Sequence, residues 1–463
     1  MKRMQPKNNS PHTRASGTGA ASLPLCRTHT TFRGARTPGG RGRDAFQGAM
    51  RRLDFHRPLT RRTLDRIAFK SLYSKEIYDA PTRDGWVLRI SRYKPVEQPW
   101  DQPIFGQPML LVPGWSQNRH AFTCGDFVKH LLAYGADIHI VELRGHGLSN
   151  QQLQIDRGLH PGDLDWDWDI DSYFLYDVPA AVAAVKKATG RSRIFYLGNS
   201  MGGMLGYGYA GSHDDLAGLV AIGAPSDIGR GFLGLRAAAL FGPVLMGPLL
   251  DAACRAASVA GRTRHNAAAM LRKVRFLARA ANLLAAPGRE FKPIHFNHVP
   301  VDAFLRALAR AATESNLRRY ELISRYIGSL LNPSRVTAED FRWLLSQGGE
   351  KEPRRVVEQF ARWIRHDEMK CYRTGYDYKA HFRDIAIPMA IFFGDLDKIA
   401  SAHSTRGIYR AARSEYLLWR PVKENSHLEL TMGTDIHQIC ADVKDLVEYA
   451  ARRTRPGPVE SFG

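Results

Sequence analysis

Arg193-Ile-Phe-Tyr-Leu-Gly198-Asn-Ser200-Met-Gly202-Gly203 decides the fold: a short apolar run stops abruptly at Gly-x-Ser-x-Gly, and small residues continue through Met204-Leu-Gly206-Tyr-Gly208-Tyr-Ala210. This pattern predicts a buried strand that turns sharply into a helix and lifts the Ser200 hydroxyl clear of the sheet. Gly198 and Gly202 give the turn its room, because a Cβ at either would collide with the neighbouring strand or helix. The next backbone N–H, that of Met201, would then point toward an oxyanion formed on a substrate. With 41 Gly in 463 residues, a Gly-x-Ser-x-Gly arises by chance in roughly one such chain in five, so the motif needs partners elsewhere.

Working outward, the chain from residue 53 alternates strands and helices. Tyr78–Arg92 reads as a hairpin with Asp84-Gly85 at its turn. Met109–Val112 is a short buried strand, followed by Pro113-Gly114-Trp115 and a helix through about Tyr134. Asp137–Leu143 is the next strand and leads into Arg144-Gly145-His146-Gly147. A helix is expected over about Tyr173–Ala188, with Val178, Val182 and Val185 at helical spacing. Leu216–Ile222 forms another strand beyond Ser200. Strands separated by helices imply a mostly parallel, doubly wound α/β sheet.

After Ala224-Pro225 the rhythm breaks. Residues 226–383 hold helical patterns and no convincing strand, far more chain than one crossover needs, and are expected to form a helical cap over the sheet's C-terminal edge. Strands resume at Pro388–Phe393 and Ser414–Arg420, and a last amphipathic helix is expected over about Ile436–Ala451. The chain thus divides into a basic arm (1–52), a core in two parts (53–225 and 384–453) around a cap (226–383) inserted between strands 6 and 7, and a tail (454–463).

An acyl-transfer site needs a base to deprotonate the serine and a carboxylate to hold that base in the right tautomer. In this topology they should follow Ser200 as acid and then His, each at a strand's C-terminal end. Gly394-Asp395-Leu396-Asp397 and Pro421-Val-Lys-Glu424-Asn425-Ser426-His427 stand at those two places.

These stretches resemble the α/β-hydrolase superfamily over roughly residues 75–225 and 384–452. Trp166-Asp-Trp168-Asp169, Tyr176-Asp177-Val178-Pro179-Ala180 and Thr82-x-Asp84-Gly85-Trp86-x-Leu88 are similar to segments of acid lipases and their esterase relatives. The resemblance implies Ser200 as nucleophile, Asp397 as acid and His427 as base, with the backbone N–H groups of Trp115 and Met201 as oxyanion donors. The family's Gly-to-acid spacing selects Asp397 over Asp395. Two features depart from the pattern: Pro113-Gly114-Trp115 replaces the common His-Gly-x, and Asn199 stands where His is frequent. Arg144-Gly-His146-Gly is expected to brace the site structurally, His437 to pack within the last helix, and Trp166 and Trp168 to pack under a loop or contact substrate.

Composition bounds the alternatives. Hydrophobic content of 44% with 10% aromatics can build a sizeable core. The net charge of +21 is concentrated: residues 1–52 carry eleven Lys/Arg against one acid, nearly half of the excess. That segment, poor in apolar residues, reads as a disordered arm, a solvated tail or sequence ahead of a start at Met50. It could touch anionic surfaces peripherally, while nucleic acid is disfavoured as a partner. No apolar core follows the basic start as in a secretory signal, and no apolar run approaches a membrane span. Five scattered cysteines without C-x-x-C argue against a disulfide framework or a zinc site, and a cytoplasmic protein is expected.

The expected activity is therefore hydrolysis of carboxylic esters of apolar acyl groups, on small-molecule or lipid substrates, through an acyl-enzyme and without metal or organic cofactor. An acyltransferase on the same scaffold and a non-catalytic binder with a hydrolase fold are the alternatives. A dehalogenase is disfavoured, since it would carry Asp in place of Ser200.

Overall fold

The Asp-Gly turn and its flanking alternation produce the first hairpin: β1 (Tyr73–Pro81) pairs antiparallel with β2 (Val87–Pro95), and Gly85 takes φ 93° between them. The computed structural model describes residues 61–233, 298–311 and 330–454, together with 59, 235, 236 and 239. The expected arm (1–52) and all but the first residue of the expected tail lie outside the described residues.

The fully buried runs Pro108–Val112 (β3), Asp137–Glu142 (β4), Ile194–Asn199 (β5) and Met389–Gly394 (β9), with Leu216–Ile222 (β6) and the more exposed Leu417–Val422 (β10), complete an eight-stranded sheet. Its order is β1-β2-β4-β3-β5-β6-β9-β10. β1, β2 and β4 pair antiparallel, and every later pairing is parallel. Runs of apolar residues without alternation are what a sheet covered on both faces requires. One face carries Trp86, Trp168, Val182 and Tyr207; the other packs Phe127, Leu131, Ile439 and Val443 from flanking helices. Chain order reverses at β3, where β4 lies on one side and β5 on the other. Ligands bind at such switch points, outside the strands' C-terminal ends.

Behind that edge, Arg144 is fully buried at the end of β4. It donates to Asp177 Oδ1 at 2.9 and 2.7 Å and to Asp84 at 2.7 and 3.1 Å, tying the hairpin turn to the helical stretch Ile170–Thr189. Removing one partner of such a buried pair costs about 3–5 kcal/mol. The Arg-Gly-His-Gly loop is held by this arrangement. Trp168 packs over it, so close that a Cβ on Gly145 would meet the indole at 2.2 Å. The helix expected from Tyr173 begins at Ile170 and widens to a π segment over Tyr173–Asp177. Pro179 has no N–H to return to the Leu175 carbonyl, which accounts for the break in regular α bonding.

Between β6 and β9 the described chain is mostly helical: Val301–Ala311, Ala338–Gln347 and Arg354–His366. It also contains a strand pair that its sequence does not announce, β7 (His298–Val299) antiparallel to β8 (Glu352–Pro353). At two residues each, these strands are too short to show any alternation.

Candidate active site

Ser200 follows the last residue of β5 with φ 51° and ψ −119°, and the helix Met201–Ala210 starts at the next residue. A side chain in this left-handed region is strained and persists only where the surroundings enforce it. Here they leave no slack. A Cβ on Gly198 would lie 2.3 Å from the Gly202 carbonyl carbon, and one on Gly202 would lie 2.1 Å from the Val112 carbonyl oxygen. Strand, turn and helix are packed backbone to backbone, and the serine is pushed outward.

Asp397 and His427 come from the loops after β9 and β10. His427 Nε2 is 2.9 Å from Ser200 Oγ, and His427 Nδ1 is 2.7 Å from Asp397 Oδ2. The other Asp397 oxygen accepts the N–H groups of Ile399 and Ala400 at 2.8 and 2.9 Å, which fixes the carboxylate. Asp395, two residues earlier, is exposed. Burial lowers the His427 pKa, but the Asp397 charge, the hydrogen bond to it and the charge of Glu429 outweigh burial and leave it raised. Nδ1 facing a carboxylate sets a tautomer in which the neutral ring presents Nε2 to Ser200 as acceptor.

The loop after β3 runs against the serine: a Cβ on Gly114 would sit 3.0 Å from Ser200 Cβ. Trp115 and Met201 line the same cavity as Ser200 and His427. Among the described residues, neither the Trp115 N–H nor the Met201 N–H is committed to another protein group. Met201 stands in the first turn of a ten-residue helix, where N–H groups have no intrahelical partner. The Gln117 Oε1 accepts both the Gly114 N–H and Asn199 Nδ2 at 3.0 Å, so Asn199 braces the turn at the position where the resemblance leads one to expect His.

The cavity measures about 400 Å³. Apart from the groups at Ser200 its wall is largely apolar, contributed by Met201 and Met204 from the core and by Ile228, Leu305, Leu344, Val357 and Phe360 from the insertion. Among the described residues between 231 and 250, Leu235 also lines it. Trp115 and Leu330 are exposed as well as lining it.

Other residues singled out from sequence take structural places. His146 is buried 3.5 Å from Glu352, its pKa pushed down to about 3 by burial and then by His298. His437 holds the Thr434 carbonyl. Trp166 and Trp168 pack edge-on against Trp86. Among the described residues no group of three His, Cys, Asp or Glu could hold a metal ion, and no helix is long and apolar enough to cross a membrane. Two acids near the site carried no signal in sequence reasoning. Glu352 contacts the loop after β3. Glu429, two positions past His427, accepts the Ser426 N–H at 2.9 Å and that of Asn332.

Sheet order and site together define an α/β-hydrolase fold, and residues 107–240 match the family model described as alpha/beta hydrolase fold. The chain is similar to lipases. It is 29% identical over 157 residues to a Crotalus adamanteus protein named for lysosomal acid lipase/cholesteryl ester hydrolase, covering 32% of this chain and 38% of that one. It is 25% identical over 157 residues to a tear acid lipase-like protein of Mesocricetus auratus (31% and 37%) and 24% identical over 180 residues to lipase lipl-3 of Caenorhabditis elegans (35% and 42%). The match thus spans about two fifths of these relatives' length.

Proposed function

We propose that this protein hydrolyses carboxylic esters of apolar acyl groups through an acyl-enzyme. The observation that carries the reading is the continuous chain Ser200 Oγ, His427 imidazole, Asp397 carboxylate at 2.9 and 2.7 Å. In this reading Ser200 Oγ attacks the ester carbonyl while His427 Nε2 takes its proton, and Asp397 stabilises the imidazolium. The negative charge that develops on the carbonyl oxygen is met by the N–H groups of Trp115 and Met201. His427 then protonates the departing alcohol and afterwards activates the water that clears the acyl group from Ser200.

The apolar wall of the cavity supports an aliphatic or other apolar acyl group, and the lipase names of the relatives point the same way. We read residues 226–383 as a cap on the core formed by 53–225 and 384–453, because the cavity wall is shared between them. A reducing, cytoplasmic setting is supported by Cys371 and Cys440, which are buried free thiols. Fractionation would test it, since the name of the Crotalus relative points to lysosomes.

The deciding experiment is labelling with a fluorophosphonate probe, with p-nitrophenyl butyrate hydrolysis followed in parallel. Stoichiometric labelling at Ser200 with hydrolysis supports the proposal. A folded protein that neither labels nor hydrolyses refutes it and leaves a binding protein on a hydrolase scaffold. Labelling with slow hydrolysis that added alcohols accelerate points to acyl transfer.

A further inference from the structure

The insertion contributes more to the site than apolar wall. All three polar backbone and side-chain groups of Ser116 are taken up by its Glu350–Glu352 strip. The Ser116 N–H donates to Glu352 Oε1 at 2.7 Å, its hydroxyl to the Glu350 carbonyl, and its own carbonyl accepts the Glu350 N–H at 2.9 Å. The neighbouring Asn118 side chain donates to the Gln347 carbonyl at 2.7 Å and to Glu350 Oε1 at 2.6 Å.

These bonds hold an unfavourable conformation. Ser116 has φ 56°, the left-handed region that a side chain resists. The N–H groups on either side of Trp115 are both tied by side chains: that of Gly114 by Gln117 Oε1, and that of Ser116 by Glu352 Oε1. Between them the Trp115 N–H is left uncommitted at the cavity. The carboxyl that does this is itself costly. Glu352 is completely buried, and burial pushes its pKa up to about 8 against the bonds from Ser116 and Tyr173. Its second oxygen accepts the Tyr173 hydroxyl at 3.0 Å, which in turn accepts Trp168 Nε1 at 2.6 Å.

We propose that Glu352 is a positioning residue for the oxyanion site: by accepting the Ser116 N–H it fixes the left-handed turn that presents the Trp115 N–H. The insertion then assembles part of the catalytic surface as well as covering it. This rests on Ser200 being an acyl-transfer nucleophile, as read above.

The test compares the full chain with Glu352→Gln, Glu352→Asp and Glu352→Ala. Two readouts are used: p-nitrophenyl butyrate kinetics, and amide hydrogen exchange of the peptide covering residues 109–118. Gln keeps an acceptor at the same reach, so kcat should stay within about threefold of wild type and the peptide should keep its protection. Asp withdraws the acceptor by one methylene, and Ala removes it. Both should lower kcat, Ala on the order of 10²-fold, with KM within about twofold, and both should speed exchange. Should the Ala variant not fold, the Gln and Asp pair decides. The proposal is overturned if Gln is as damaging as Ala, if only KM moves, or if exchange is the same in all variants. A wild-type chain that hydrolyses no ester counts against the function proposed above, and the exchange comparison still decides the role of Glu352.

Discussion

His427 Nε2 lies 2.9 Å from Ser200 Oγ, although the two residues arrive from different strand ends, one after β5 and one after β10. Between those strands lie β6, β9 and the whole insertion. The contact exists because parallel strands deliver their C-terminal loops to a single edge.

If that contact is the catalytic one, Ser200→Ala abolishes both ester hydrolysis and fluorophosphonate labelling. His427→Ala should lose on the order of 10³-fold or more in kcat while the protein stays folded. Mass spectrometry of labelled peptides checks the first, and persistent labelling of the Ser200→Ala protein would place the nucleophile elsewhere.

The two aspartates of the acid loop should separate cleanly. Asp397 is buried against His427 Nδ1, whereas Asp395 faces solvent. Asp397→Asn leaves the fold intact but offers His427 an amide that can favour the wrong tautomer, costing up to about 10⁴-fold in kcat. Asp395→Asn should stay within about threefold of wild type. The opposite ranking in steady-state kinetics would reassign the acid.

The pH profile follows from the charges around His427. The neutral imidazole is the base, so kcat/KM falls as the ring protonates. Burial works to lower its pKa, but Asp397 and, less strongly, Glu429 raise it above the usual histidine value of 6.5. The acid limb should therefore lie above pH 6.5. Glu429→Gln keeps an acceptor for the Ser426 and Asn332 N–H groups while deleting the charge, and should move that limb to lower pH. A limb that stays put or moves upward in the variant would remove Glu429 from the electrostatics of the site.

Legibility in the sequence tracked how local each signal is. Ser200 and Asp397 follow apolar runs that announce the buried strands β5 and β9, His427 stands in the loop after the more exposed β10, and the Asp84-Gly85 turn announces its own hairpin. Non-local pairing sets what remained hidden. β10 runs from Leu417 to Val422, shifted from the expected Ser414–Arg420, because its register with β9 places Leu417 opposite Met389. β7 and β8 meet only through the fold of the insertion. Glu352 stands in a charged stretch, Glu350-Lys351-Glu352-Pro353-Arg354-Arg355, with no apolar pattern to mark burial, yet its carboxyl is wholly buried. Periodicity cannot separate those two outcomes for an acid whose partners are a backbone N–H and a tyrosine far away in the chain.

The cavity wall gives the last prediction. Its apolar lining is spread over several pieces of the insertion, with Leu305 on the helix Val301–Ala311 and Val357 on the helix Arg354–His366. Each methylene transferred from water to such a wall contributes about 0.8 kcal/mol, which bounds the gain in kcat/KM at about fifteenfold per two carbons of acyl chain. A several-fold rise from acetate through butyrate to octanoate p-nitrophenyl esters is expected until the cavity is full. Leu305 and Val357 are both only partly buried, so an aspartate at either place can fold while putting a carboxylate into the cavity wall. Leu305→Asp and Val357→Asp should then erase the chain-length gain and leave acetate turnover within about threefold, because an acetyl group is too short to reach far along the wall. Acetate turned over as fast as octanoate by the wild-type protein, or equal damage to both substrates in the variants, would mean that the cavity does not hold the acyl chain.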